Sequence, residues 1–183
     1  MKKILVLLAH PSIETSDINS ALFKAASMQE KVTTVNLYKE YPDFNIDIVT
    51  EQKRLLKHDV VIFLFPTYWY STPSLLKEWQ DKVLEHGFAY GSKGNKLLGK
   101  TLLCVTSTGS PMSAYENQAT NELMMKNLLL PLELMAKDTG LKFIEPLVLY
   151  GARTAVTENR LQPHVESFLE AIEALKTTFQ DKQ

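Results

Sequence analysis

Val60-Val61-Ile62-Phe63-Leu64-Phe65-Pro66-Thr67-Tyr68-Trp69-Tyr70-Ser71-Thr72-Pro73 changes character twice within one short stretch. Val60 to Leu64 is continuously apolar, which reads as a strand buried on both faces. Beyond Pro73, the residues Leu75, Leu76, Trp79, Val83 and Leu84 recur at helical spacing and predict a helix over about 74–85. Residues 66–73 are therefore a strand-to-helix loop bracketed by two prolines, with three adjacent aromatics inside it. Aromatic side chains bury a large apolar area, so such a loop needs something to cover. Two readings stand open: a wall against a flat ring, or a hydrophobic turn packed under the following helix.

The same strand-then-helix pattern repeats on either side. Further apolar or β-branched runs predict strands over 3–9, 31–37, 100–107 and 141–150, besides 59–65. Pro146 places the last of them near an edge or at a bulge. Ile18, Ala21, Leu22, Ala25 and Ala26 mark the first helix, with Ser16 as its cap and Asp17 in its first turn. Tyr38 to Asp47 reads as a turn or extended loop, and Thr50 as the cap of a short helix ending near Lys57. Gly87 ends the helix after the aromatic loop, and residues 88–99 form a glycine-containing loop. Gln118 to Thr139 reads as helical, with Pro131 predicting a kink or two helices. Asn159 to Phe179 is the final helix. Five strands joined by helices predict an α/β fold with a parallel sheet covered on both faces. No repeat or linker interrupts the chain, so one domain over 1–183 is expected.

The totals exclude several classes. At 183 residues and 45% apolar, the chain can bury an ordinary core. A formal net charge of -1 with no long basic run argues against nucleic-acid binding through counterion release. The single cysteine, Cys104, cannot form an intrachain disulfide; it suits a reducing cytoplasm and reads as a small buried hydrophobe. The apolar run near the N-terminus is too short for a signal peptide and is followed by His10-Pro11, not a small-residue cleavage site. The four histidines lack metal-ligand spacing, so no metal site is expected. No Gly-x-Ser-x-Gly elbow supports serine hydrolysis.

In a parallel sheet the ligand binds beyond the carboxyl ends of the strands. Three loops leave there. Residues 10–19 lack both common phosphate-binding glycine motifs but offer His10, Ser12, Thr15, Ser16 and Asn19 at a helix start. An ordinary capped helix is the other reading. Asp17 would repel a phosphate, so its side chain should point outward. Residues 66–73 bring the aromatics. Ser107-Thr108-Gly109-Ser110 is small enough to let a ring approach the backbone, and Tyr115 follows as a cap or hydrogen-bond donor. Together the loops point to a flat phosphorylated cofactor, a flavin.

Several segments carry a resemblance. His10-Pro11 with Ser16 and Asn19, Tyr41-Pro42-Asp43-Phe44-Asn45-Ile46-Asp47, residues 66–83, His86-Gly87-Phe88-Ala89-Tyr90-Gly91 and Gly99-Lys100 are similar to the flavodoxin-like NAD(P)H:quinone oxidoreductases. The nearest subgroup resembles the small ancillary quinone reductases of glutathione-gated potassium efflux systems and related general stress proteins. The likeness implies a five-stranded sheet of order 2-1-3-4-5. It also implies noncovalent FMN, with FAD possible in principle but less suited to so short a chain, and two-electron hydride transfer from NAD(P)H through flavin to a quinone. Flavin contacts are implied at His10, Ser16, Asp17, Ile18, Asn19, Thr67, Tyr68, Trp69, Tyr70, Ser107, Thr108, Gly109 and Ser110, and a catalytic position at Tyr115. Ser110-Pro111 departs from the family's glycine-rich run, and no histidine follows Tyr115 nearby to complete a relay. Arg153 is a candidate partner for a 2′-phosphate. A homodimer is implied, with Trp79 and the Tyr90 loop at the interface; core packing is the other reading of Trp79. An alternative function is regulatory, as an ancillary subunit of a potassium/proton antiporter with secondary reductase activity. A one-electron carrier is disfavoured, since such proteins are usually acidic.

Overall fold

The computed structural model describes residues 1–115 and 125–177. Its strands are β1 (Ile4–Leu8), β2 (Val32–Asn36), β3 (Val60–Pro66), β4 (Thr101–Ser107), β5 (Lys142–Phe143) and β6 (Leu147–Leu149). Its helices are α1 (Asp17–Ser27), α2 (Leu37–Glu40), α3 (Ile48–Lys57), α4 (Ser74–Val83), α5 (Met125–Asp138) and α6 (Leu161–Thr177). All strand pairings are parallel, in the order β2-β1-β3-β4-β5, with β6 also on β4. This is the expected flavodoxin-like order, with one correction. The strand predicted over 141–150 is two short strands on the same edge, separated by residues 144–146. Pro146 lies in the gap, where a missing N–H cannot continue a ladder.

Alternate residues of the central strands feed two separate cores, as side chains with a period of two must. Leu5, Leu7, Val61, Phe63, Leu102 and Cys104 meet the α3–α5 side. Ile4, Val6, Leu8, Ile62, Leu64 and Val105 meet α1 and α6 through Ile18, Leu22, Phe168 and Ile172. Helices therefore cover both faces. Cys104 is buried, and burial pushes its thiol pKa up, which leaves it inert at neutral pH.

Local capping accounts for the remaining differences. Asp47, not Thr50, caps α3: its carboxylate accepts from the Thr50 N–H at 3.0 Å and the Thr50 hydroxyl at 2.7 Å. The segment read as a loop from Tyr38 opens with α2, whose Asn36 side chain accepts from the Lys39 N–H. Helix α4 stops at Val83, short of Gly87. Helix α5 runs through Pro131 as one helix. Its expected start at Gln118 and the expected end of the last helix at Phe179 lie outside the described residues.

A buried charge holds α2, α3 and α4 together. Glu51 is 0% exposed. It accepts from the Tyr41 hydroxyl at 2.7 Å, from Trp79 Nε1 at 2.9 Å and from the Arg54 guanidinium, which also pairs with Glu40. Burial and the adjoining carboxylate push the Tyr41 phenol pKa up, so the hydroxyl stays a donor. Trp79 is 1% exposed and stands edge-on to Phe63 at 5.7 Å. It thus belongs to the core and is unavailable to a subunit interface. Removing one member of a buried charged network leaves the others unpaired. Glu51→Ala should lower unfolding free energy in urea by about 3 kcal/mol or more. A loss below about 1 kcal/mol would mean that the network is merely tolerated.

Candidate functional site at the carboxyl edge of the sheet

The loops after β1, β3 and β4 emerge side by side. The Ala9 N–H donates to the Leu64 carbonyl at 2.9 Å, and the Thr67 N–H donates to the Ser107 carbonyl at 2.8 Å. The Thr67 and Thr106 hydroxyls lie 2.9 Å apart.

In the first loop Ser16 caps α1. Its Oγ accepts from the Asn19 N–H at 3.2 Å and from Asn19 Nδ2 at 3.1 Å, and Asn19 is buried. The N–H groups of Asp17 and Ile18 have no intrahelical partner, as at any helix start, and face an anion readily. The Asp17 side chain is exposed, in keeping with an outward orientation. The Ile18 side chain packs into the core, so only its backbone faces the edge. His10 is buried, and its Nδ1 accepts from the Ser12 N–H at 3.1 Å. A neutral ring in that arrangement carries its proton on Nε2. Burial holds its pKa below the ordinary value.

The second loop is a tight reversal. Tyr68 and Ser71 exchange backbone bonds of 2.9 and 3.0 Å around Trp69 and Tyr70. Both central residues have left-handed φ, 47° and 63°, where asparagine or glycine is the usual occupant. Tyr68, Trp69 and Tyr70 are 42%, 93% and 55% exposed. The hydrophobic-turn reading therefore fails for Trp69, whose ring stays exposed among the described residues. Tyr68 meets His10 edge-on at 6.2 Å, which joins the first two loops. Pro66 ends β3 and Pro73 stands at the N-cap of α4. On the α4–α5 side, Tyr70, Thr67 and Thr72 border an open cavity of about 680 Å³, which Leu128, Leu132 and Met135 also line.

The third loop is held from a fourth that the sequence reading missed. Thr108 donates through its N–H to the Leu149 carbonyl at 2.9 Å and accepts from the Ala152 N–H at 2.8 Å. The Gly151 N–H donates to the Ser110 carbonyl at 2.8 Å. Arg160 pins this fourth segment, donating to the carbonyls of Tyr150 at 2.7 Å and Gly151 at 2.9 Å. Arg153 lies over Gly109, where an added Cβ would stand 3.7 Å from its Nε. The one available sequence signal was a pair of arginines in a Thr-rich stretch before the last helix. Tyr115 is buried against Tyr150, with ring centroids 5.5 Å apart. It faces a separate cavity of about 830 Å³ beside β6, with Met112 and Pro146. Among the described residues no group of His, Cys, Asp or Glu could hold a metal ion.

A flavodoxin-like fold model matches residues 2–174. The chain belongs to the flavodoxin-like fold family. Among its relatives, general stress protein 14 of Bacillus subtilis is 44% identical over 157 residues, spanning 86% of this chain and 90% of that one. The glutathione-regulated potassium-efflux system ancillary protein KefG of Cronobacter sakazakii is 46% identical over 151 residues, 82% of each chain. The structure of general stress protein 14 from Treponema denticola, in complex with FMN, superposes with a TM-score of 0.88 at 33% identity, covering 94% of this chain and 99% of that one. An NADPH-quinone reductase from P. pentosaceus gives a TM-score of 0.82 at 28% identity, covering 92% and 96%.

Left-handed φ at a non-glycine residue costs on the order of 1 kcal/mol, so strain at Trp69 and Tyr70 persists only if the turn is retained for another reason. Tyr70→Gly should raise unfolding free energy by about 0.5–1 kcal/mol. A destabilised variant would show that Tyr70 contributes packing that outweighs the strain.

Proposed function

We propose that this protein is a flavin-dependent NAD(P)H:quinone oxidoreductase with FMN at the carboxyl edge of the sheet. The observation that carries the reading is the exposed Tyr68-Trp69-Tyr70 reversal between a capped helix start and a small-residue loop. The FMN-bound relative of the same fold supports it. Bound flavin supplies two-electron hydride chemistry to an otherwise redox-inert chain.

The chain's own residues bind and orient. The α1 start, through the Asp17 and Ile18 N–H groups with Ser16 and Asn19, takes the phosphate without a basic side chain. His10, neutral with its proton on Nε2, donates toward the ribityl region. Thr67 to Tyr70 and Ser107 to Ser110 flank the ring, with the aromatics excluding water from it. Arg153, above Gly109, supplies the cation of this edge. Tyr115 is the proposed catalytic position, reached from its own cavity beside β6 and not from the one beside Tyr70. The quinone enters by the cavity beside Tyr70. Exposed Leu130 and Leu134 on α5, with Tyr90, make that side the proposed homodimer face. The protein is further proposed to be a single cytoplasmic domain; no described helix is long and apolar enough to cross a membrane.

A second reading rests on the 46% identity to KefG: the chain serves as an ancillary subunit of a potassium-efflux system, with reductase activity secondary. Co-purification with the soluble part of such a system would support it, and transport unchanged on deletion would contradict it.

Purified protein should oxidise NADPH or NADH with a soluble quinone as acceptor. Trp69→Ala should weaken flavin binding by about 1–3 kcal/mol, a roughly fivefold to 150-fold rise in Kd, without loss of stability. Equal flavin affinity in that variant would remove Trp69 from the site.

A further inference from the structure

We propose that the opposite, amino edge of the sheet holds a second site, which binds a small oxyanion of the phosphate or sulfate type through Lys3, Lys31 and Lys57. A cavity of about 310 Å³ there is lined by Lys3, Lys31, Val32, Thr33, Lys57 and His58. The parallel register builds it. Ile4 pairs with both Val32 and Val60, so the preceding residues Lys31, Lys3 and Asp59 stand in a row. Lys57 joins them from the last turn of α3. Among the described residues none of the three ammonium groups has a carboxylate partner within salt-bridge distance. The one acid in the row, Asp59, already accepts from the Lys3 backbone N–H at 2.8 Å. Lys100 adds a further charge from behind, its Nζ donating to the His58 carbonyl at 2.5 Å.

The three exposed ammonium groups bring like charges to one cavity, and their summed field attracts an anion. Lys57 also answers the negative end of α3, which accounts for one lysine of the three. Lys31 is held in place by a left-handed φ of 62°, with its carbonyl accepting from the Ile4 N–H.

The wall of the cavity couples the site to a proton. His58 is buried, its Nδ1 lying 2.7 Å from the Arg54 carbonyl and its Nε2 2.8 Å from the Thr33 hydroxyl. Facing a carbonyl, Nδ1 must donate. In the neutral ring Nε2 then accepts, and the Thr33 proton is committed to it. In the protonated ring Nε2 donates, and the Thr33 hydroxyl becomes free to donate to an oxyanion. Anion binding and His58 protonation therefore favour each other. The groups around the ring act in both directions. Burial opposes its charge, as do Lys3 just before β1 and Lys100 just before β4; the Arg54 carbonyl that accepts from Nδ1 and Asp59 just before β3 favour it. Arg54 and Lys57 stand on α3, and Lys31 precedes β2. An anion among the lysines shifts this balance toward protonation.

Sulfate is the probe, because it keeps two charges throughout the range used. Calorimetric titration of the full chain, at ionic strength held constant with sodium chloride, should show saturable binding. Lys31→Asn with Lys57→Gln should weaken it about tenfold, asparagine being chosen to tolerate the left-handed backbone. Because burial lowers the His58 pKa, binding should be at least about threefold tighter at pH 5 than at pH 8, and Thr33→Val should retain binding but lessen that dependence. No saturation, or equal binding by the double variant, overturns the site and leaves an adventitious ion only. Binding indifferent to pH in the unmodified chain overturns the coupling. Inorganic phosphate against a phosphomonoester then separates free ion from ester as ligand, and binding of neither also overturns the proposal.

Discussion

Parallel pairing of β1, β3 and β4, buried on both faces, is the constraint from which the rest of the molecule follows. Leu8, Leu64 and Val105 are in register across the three strands. Each strand has used its side chains to fill two cores and its backbone to pair with neighbours. Chemistry is thereby confined to the strand ends, and parallel pairing sends the loops after all three out at one edge. The loops over 9–16 and 67–73 and the start of the loop after Ser107 therefore share one edge. The same register sets Lys31, Lys3 and Asp59 in a row at the other edge. The two ends of one sheet thus acquire different chemistry from one pairing pattern: a hydroxyl- and aromatic-rich edge bordered by Arg153, and a lysine-rich cavity.

Behind the cleft, rigidity comes from a charge that the core has to tolerate. Glu51 is stable in the interior only because Tyr41, Trp79 and Arg54 all donate to it. That arrangement ties α2 and α3 to α4, the helix that begins directly after the aromatic reversal. The reversal can then hold Trp69 and Tyr70 in left-handed conformations and keep their rings in water. Stability and strain are separated in space: the network lies beneath α4, and the strained residues lie before its first turn. On the other side, Arg160 serves the third loop similarly, through the carbonyls of Tyr150 and Gly151.

How much of this could be read from the chain depended on the range of the interaction. Apolar runs located β1, β3 and β4 and β-branched residues located β2, and Ser16 was legible as a cap because the N–H that donates to it lies three residues on. The cap of α3 was misplaced by three residues, since Asp47 and Thr50 both have capping chemistry and only geometry chooses between them. The split of the last strand was half legible: Pro146 announced a break, but the two pieces' return to the same neighbour is a tertiary fact. Trp79 and Trp69 look alike as letters. One is sealed by a glutamate 28 residues away and the other faces solvent. The support of the third loop by residues 149–152 carried no residue signature, because those bonds run backbone to backbone; only the arginine that pins the segment could have hinted at it. Family resemblance supplied the strand order, and the fold bears it out.

The account stands on the claim that the carboxyl edge holds a flavin mononucleotide. The direct measurement is to denature purified protein by heat and identify any released flavin by chromatography, after reconstitution with FMN and FAD if the preparation is colourless. The account predicts FMN, near one equivalent per chain. Protein that releases no flavin and takes up neither form would contradict it.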